Sequence, residues 1–364
     1  TKGAFRKSFS DDTFPVLATK PWVKHLSSSS LPATTEGLVM TSKADTKIIG
    51  YDVSCQFADA LVTLPSAAAL GGQASSPSST NPAVGFTASS SHAGVELDFS
   101  EVPLSRRPRL KRTVISTTNG PVDITSALFG SEGVDISTEL GEVVVEDSSA
   151  ICDENSIGEA GAGIILSTNK GSVDVDGCSF YDCDVSASGA ASLLRFASSR
   201  VENRLGGGKV TLSSVKGLIQ MEDSYAQVFD VKGEEGSVRA TNITAGEALK
   251  VATTSGSISL LGITMSQRAV VQVETSTGAV RLHFTKFAGI ISIVSGGDIA
   301  CLGAGFDGAA PCSTLTHLPG GISVVEQATA NCASRGTCPY GSELSVSSTL
   351  GSVTISMDAW TPPS

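Results

Sequence analysis

The sequence predicts an all-β chain folded as a right-handed parallel β-helix, a β-solenoid with coils of about 20 residues. Three observations support this. The phrase "LKVATTSGSISLLG" at 249–262 returns as "VQVETSTGAVRLHF" at 271–284. Copies of the phrase recur at short, similar intervals. The 364 residues include 38 Gly, with only 5% aromatic and 17% charged residues, and the aliphatic side chains come in short packets without any long apolar run.

Each copy centres on a glycine: Gly120, Gly141, Gly171, Gly217, Gly236, Gly256, Gly278, Gly297 and Gly351. Two residues later stands a β-branched residue (Val122, Val143, Val173, Ile219, Val238, Ile258, Val280, Ile299, Val353), and four later a further residue for the interior, such as Ile124, Val145 or Leu260. Seven and five residues before the glycine lie pairs such as Val134/Ile136, Ile164/Leu166, Leu249/Val251 and Leu344/Val346. Alternation on both sides describes two short strands, each with one buried face. The parity changes at the glycine, so the chain turns a corner there. Glycine is expected to supply a positive φ, and the Thr or Ser three residues earlier (Thr117, Thr138, Thr168, Ser214, Thr253, Thr275, Ser348) to hydrogen-bond the corner's own backbone.

Successive glycines are 21, 30, 46, 19, 20, 22, 19 and 54 residues apart. The long gaps are expected to hide degenerate copies. In one, Leu194 and Phe196 are read as the incoming pair with Val201 in place of glycine; in the other, Ile322 and Val324 mark a copy; residues 84–99 read as a looser relative. A solenoid follows because no coil can hide its apolar face alone. The competing arrangement, hairpin repeats in a sandwich or propeller, suits a spacing of about 40 residues per blade.

The repeats occupy 113–357. Residues 1–37 read as an N-terminal arm or linker, in which Phe14, Val16, Leu17 and Trp22 could lie across a neighbouring subunit. Residues 38–112 read as a β-rich cap or degenerate coils carrying a low-complexity loop at 65–82, a site for O-linked sugars, and 358–364 as a tail ended by Pro362 and Pro363. The run "RRPRLKR" at 106–112 is expected to be a solvated loop between parts.

A net charge of -11 argues against a nucleic-acid partner. No stretch is long and apolar enough to span a bilayer. The eight cysteines form an even set: Cys55, Cys152, Cys178, Cys183, Cys301, Cys312, Cys332 and Cys338. Cys178/Cys183, Cys301/Cys312 and Cys332/Cys338 are close enough in the chain to close small loops, and the four histidines (His25, His92, His283, His317) stand away from them. Disulfides in an oxidising compartment fit this pattern better than zinc. The first residues contain no apolar signal core, so a leader is either already removed or lies before Thr1. Asn242 begins an "NIT" acceptor for N-glycosylation, which fits secretion.

The best catalytic or metal candidate is "VDVDGCSFYDCDV", with Asp174, Asp176, Asp182 and Asp184. Asp174 and Asp176 alternate with inward valines and so face outward; Asp123, Glu142 and Glu146 extend an acidic strip. Grouped carboxylates on such a face hold calcium or cleave acidic polysaccharides in some β-helix proteins. No histidine accompanies them, and the matching position in later copies is Arg239, Ser259, Arg281 or Thr354. An ordinary solvated face is therefore expected, with no catalytic residue and no cofactor; calcium is the one ion considered. The glycine clusters at 159–164 and 205–209 lack the helix and Lys-Ser/Thr ending of a phosphate loop, and no serine stands in a nucleophile elbow.

"TTSGSISLLG", "TSTGAVRLHF" and "STLGSVTISM" resemble the short-repeat β-solenoid of adhesins, the head-type domains of bacterial surface proteins, over about 84–357. The resemblance implies an extracellular or envelope-facing solenoid without assigned activity. Together these readings describe a secreted structural or adhesive solenoid, a glycosylated subunit that self-associates head to tail into a surface fibre and contacts glycans or cell-surface ligands. A carbohydrate-active β-helix enzyme, lyase or hydrolase, is the alternative.

Overall fold

The computed structural model describes residues 37–41, 83–92, 94–104, 107, 109–130, 132–152, 163–202, 208–307, 315–318, 321–332, 338 and 341–359. No α-helix occurs among them. The arm residues Phe14, Val16, Leu17 and Trp22, the loop 65–82, Cys55 and Cys312 lie outside the described residues.

The predicted strands form and stack in parallel. Val134, Ile164, Val185, Val210, Phe229, Leu249 and Val271 pair in sequence along one sheet, and their side chains are buried. Val122, Val143, Val173, Leu194, Ile219, Val238, Ile258 and Val280 do the same along a second. A third, narrow sheet has no counterpart among the expected strands. In later coils it runs through the ends of longer strands, Tyr225–Gly233, Thr244–Thr253 and Ile258–Met265. In the earlier coils its strands are only two or three residues long, among them Leu128–Phe129, Ser149–Ile151, Ser179–Tyr181 and Arg200–Glu202. Their inward residues, Phe129, Ala150, Phe180 and Val201, close the interior. Stacking therefore buries three columns of apolar side chains, and each coil shields the next.

The corner glycines serve a purpose different from the expected one: none has a positive φ. They are required by close approach. A Cβ on Gly141 would lie 2.2 Å from Gly120 O, on Gly236 1.8 Å from Gly217 O, on Gly256 1.9 Å from Gly236 O and on Gly278 1.7 Å from Gly256 O. The glycines thus form a column in which each backbone rests on the carbonyl of the one before. Ser192 occupies this column between Gly171 and Gly217, so Leu194 and Phe196 are the outgoing pair and Val201 belongs to the third sheet. At Thr138, Thr275 and Ser348 the hydroxyl acts as expected and also reaches one coil back, whereas the buried Ser214 Oγ has no hydrogen-bond partner among the described residues. Thr275 Oγ1 accepts from Gly278 N at 3.1 Å and donates to Gly256 O at 3.2 Å; Ser348 Oγ accepts from Gly351 N at 3.0 Å and donates to Gly278 O at 3.1 Å. These three hydroxyls use both capacities to tie their own corner to the neighbouring one.

Positive φ occurs instead at the second corner, at Ser126, Asp147, Gly177, Ser198, Asp223, Asn242 and Gly262. Small and Asx residues tolerate this conformation.

Stacking order departs from chain order near the C-terminus. Ser342–Ser348 pairs in parallel with both Val270–Thr275 and Gly289–Ser295, and Val353–Met357 with both Val280–Lys286 and Ile299–Leu302. The last coil in sequence is therefore the second-to-last in space, inserted between two others. Ile322–Ala330 runs antiparallel to Gly289–Ser295, and Leu315–Leu318 antiparallel to it in turn. The expected copy at Ile322 and Val324 is thus an antiparallel hairpin that buries Ser323, Val325 and Ala330 instead. The basic run also differs from its expectation: Arg109–Thr117 is a strand with Leu110 fully buried, and Lys111 pairs with Glu132.

Candidate functional site

Among the described residues a shallow groove of about 560 Å³ runs along the outer edge of the first sheet, where its strands reach the glycine corner. Its floor is a row of serines four residues before each corner position: Ser116, Ser137, Ser167, Ser188 and Ser213. Their strands pair in register, so consecutive coils present one hydroxyl each at the same height. Thr118, Glu139 and Asn169 from the corner form one wall. Of the residues lining the groove, Glu139 alone is ionisable. The repeating position carried a signal, since Ser recurs four residues before Gly120, Gly141, Gly171 and Gly217.

The acidic candidates do not converge. Asp174 and Asp176 lie on the outer face of the second sheet, where Arg195 of the next coil binds both: Nη1 is 3.0 Å from Asp174 Oδ1 and Nη2 3.0 Å from Asp176 Oδ2, with Glu222 Oε2 at 3.9 Å. Partial burial works against the Arg195 charge, but the two aspartates outweigh it and hold the guanidinium above its usual range. Asp182 and Asp184 sit at a different corner, beyond Ser179–Tyr181, where Asp184 Oδ1 accepts from Lys209 N at 2.9 Å. Asp123 and Glu142 are neighbours on the second sheet's outer face; burial first, then the Glu142 charge, raises the Asp123 carboxyl above the usual range. Glu142 accepts from Ser172 Oγ at 3.0 Å. Among the described residues no group of three or more His, Cys, Asp or Glu side chains is placed to hold a metal ion. His92 lies beside Ser91 Oγ and His283 beside Asp358, away from these acids.

The cysteines pair across coils as well as within loops. Cys332 and Cys338 are joined, as their spacing suggests. Cys183, however, bonds Cys152 of the preceding coil, and Cys178 is a buried free thiol. Cys301 is disulfide-bonded too. Ala150 and Phe180 are paired neighbours in adjacent coils, so stacking brings Cys152 beside Cys183 while chain proximity favours the wrong partner. Cys178 occupies the position that Ser148, Ser199 and Ser224 hold in other coils, just inside the second corner. Its Sγ lies 3.3 Å from Asp176 O and 3.4 Å from Val145 O, and its N–H donates to Ser199 Oγ at 3.1 Å.

Asn242 is exposed at the second corner, with Nδ2 donating to Asp223 Oδ1 at 3.1 Å. No helix of the described residues is long and apolar enough to cross a membrane. A family model described as Toastrack DUF4097 matches residues 94–301. No curated protein and no solved structure matches the chain.

Proposed function

The chain belongs to the Toastrack DUF4097 family, a β-solenoid repeat fold, and we propose that it is an extracellular adhesive scaffold whose serine groove holds an extended, hydroxyl-rich polymer such as a glycan strand. The observation that carries this is the row from Ser116 to Ser213, one hydroxyl per coil. Coils repeat at about 4.8 Å, a step comparable with one sugar unit, and each hydroxyl both donates and accepts. A regular polymer laid along the axis would meet the same donor and acceptor at every step. The lone Glu139 in the groove gives it no acid–base pair, which favours retention over cleavage.

The disulfides support an oxidising, extracellular setting. The exposed Asn242 supports N-glycosylation there, which peptide mapping before and after enzymatic deglycosylation checks. Axial growth into a fibre has less support, because the antiparallel strands Ile322–Ala330 and Leu315–Leu318 interrupt the parallel repeat at one end of the first sheet.

Immobilised polysaccharides of differing backbone linkage test the proposal. Binding to at least one is expected, with Ser167→Arg/Ser188→Arg weakening it by at least about tenfold while the outward-facing positions leave the melting temperature unchanged. Binding that survives this blockage, or no binding to any polysaccharide, would sink it.

A further inference from the structure

The outer face of the second sheet carries a second row, at mid-strand, that the serine groove does not use. In stacking order Glu96 comes first and Asp123 in the next coil, with Asp174 two coils on, then Arg195, Gln220 and Arg239 in consecutive coils, and Arg281 two coils further. The intervening residues are uncharged, so the row is acidic at one end and basic at the other, and from Asp123 to Arg281 its spacing is mirrored; beyond them Glu96 at one end corresponds to Thr354 at the other. Arg239 and Arg281 are exposed and form no ion pair among the described residues, in a chain of net charge -11. Asp123 is likewise exposed and has acids, Glu96 and Glu142, for its neighbours. Unpaired charges of both signs thus share one sheet face.

We propose that this face binds a second copy of the chain about a two-fold axis that passes between the Arg195 and Gln220 coils, perpendicular to the solenoid. That operation places Arg281 opposite Asp123, Arg239 opposite Asp174 and Arg195 opposite Gln220, and symmetry repeats each contact. Both copies carry the same coil spacing of about 4.8 Å, so the rows stay in step along their length. A polyanion is the other occupant the arginines suggest, but Asp123, Asp174 and Asp176 would repel it over half the row. A second copy satisfies both halves. The contact is polar and exposed, so it sets register and orientation more than it adds affinity, and salt weakens it. It lies on a different sheet from the groove and stands whether or not that groove binds a glycan.

Sedimentation velocity on the intact chain tests it. A dimer is expected in low salt, weakened at least about tenfold in roughly 0.5 M salt. Arg281→Asp and Asp123→Arg should each weaken the dimer by a similar factor, and the two together in one chain should restore it to within about threefold, because both copies then carry the exchanged pair. Hydrogen exchange on the unmodified chain should slow along the second sheet as concentration rises, which needs no variant to fold. A chain that stays monomeric in low salt, a dimer indifferent to both reversals, or a double variant without recovery would overturn the pairing. So would a monomer that binds heparin through Arg239 and Arg281, which would assign the row to an acidic glycan.

Discussion

Gly256 shows what the repeated glycine is for. A Cβ at this position would stand 1.9 Å from Gly236 O, and the conflict is with backbone that the whole column holds in place. Gly256→Ala should therefore cost about 3 kcal/mol in urea denaturation. Gly85→Ala, with nothing within 4 Å of its Cβ, should stay within about 0.5 kcal/mol. Equal effects at the two sites would mean that the column is not close-packed. Cys178 makes a complementary case. Burial pushes its thiol pKa up to about 12, the nearby acids adding to the effect against a hydrogen bond from Ser148 N–H. The native protein should leave this thiol unreacted with a disulfide reagent at about pH 8. Cys178→Ser should change stability by less than about 1 kcal/mol, since Ser148, Ser199 and Ser224 hold the same place, whereas Cys178→Leu should cost about 2 kcal/mol by overpacking. Asp230 carries the clearest pH signature. Burial opposes its charge, yet the hydrogen bonds and charges of Lys209 and Lys232 prevail and hold the carboxyl below its usual range. Its stabilising contribution is complete above the unfolded carboxylate pKa and is lost as pH falls through the folded value. The stability gap between wild type and Asp230→Asn should accordingly be widest near about pH 7 and close on acidification; a constant gap would contradict the assignment.

Among the strands, Ser342–Ser348 supports more than its own coil. Because it lies between Val270–Thr275 and Gly289–Ser295, Leu344→Ala/Val346→Ala removes packing from both neighbours at once. Amide exchange should speed up in both strands, although one is about 70 residues and the other about 50 residues away in sequence; acceleration in only one would refute the insertion. The strands are legible in the sequence where burial imposes a period of two over four residues or more, as in Val271–Val273 or Leu344–Val346. The third sheet is not, because Ser149–Ile151 or Ser179–Tyr181 has room for one inward residue and shows no period. The order of the last coils is hidden for a different reason. "STLGSVTISM" fits any place in the stack equally well, since every coil presents the same interior and the same corner. The Cys152–Cys183 bond is within reach of the sequence: Gly141 and Gly171 set a 30-residue coil, which carries Cys152 to the side of Cys183.

In the whole molecule, one rule generates both surface rows. Register forces residues at equal offsets from the corner into lines along the axis, so a modest bias in sequence becomes a continuous strip of one chemistry: serine over the first sheet, charge of changing sign over the second. Alternation with buried valines suffices to face Asp174 and Asp176 outward, but it does not reveal their partner Arg195, because the coil that supplies it has Ser192 at its corner and reads out of phase. Everything proposed for the surface depends on the stack being parallel, in register and ordered as described. Nitroxide labels on outward first-sheet positions measure this directly. From Ser186, pulsed electron resonance should give about 19 Å to Gln272, about 24 Å to Ser345 and about 29 Å to Ser292, one coil of about 4.8 Å separating each from the next. A label at Ser345 found farther out than one at Ser292, or distances that grow with chain separation instead of coil rank, would contradict the account.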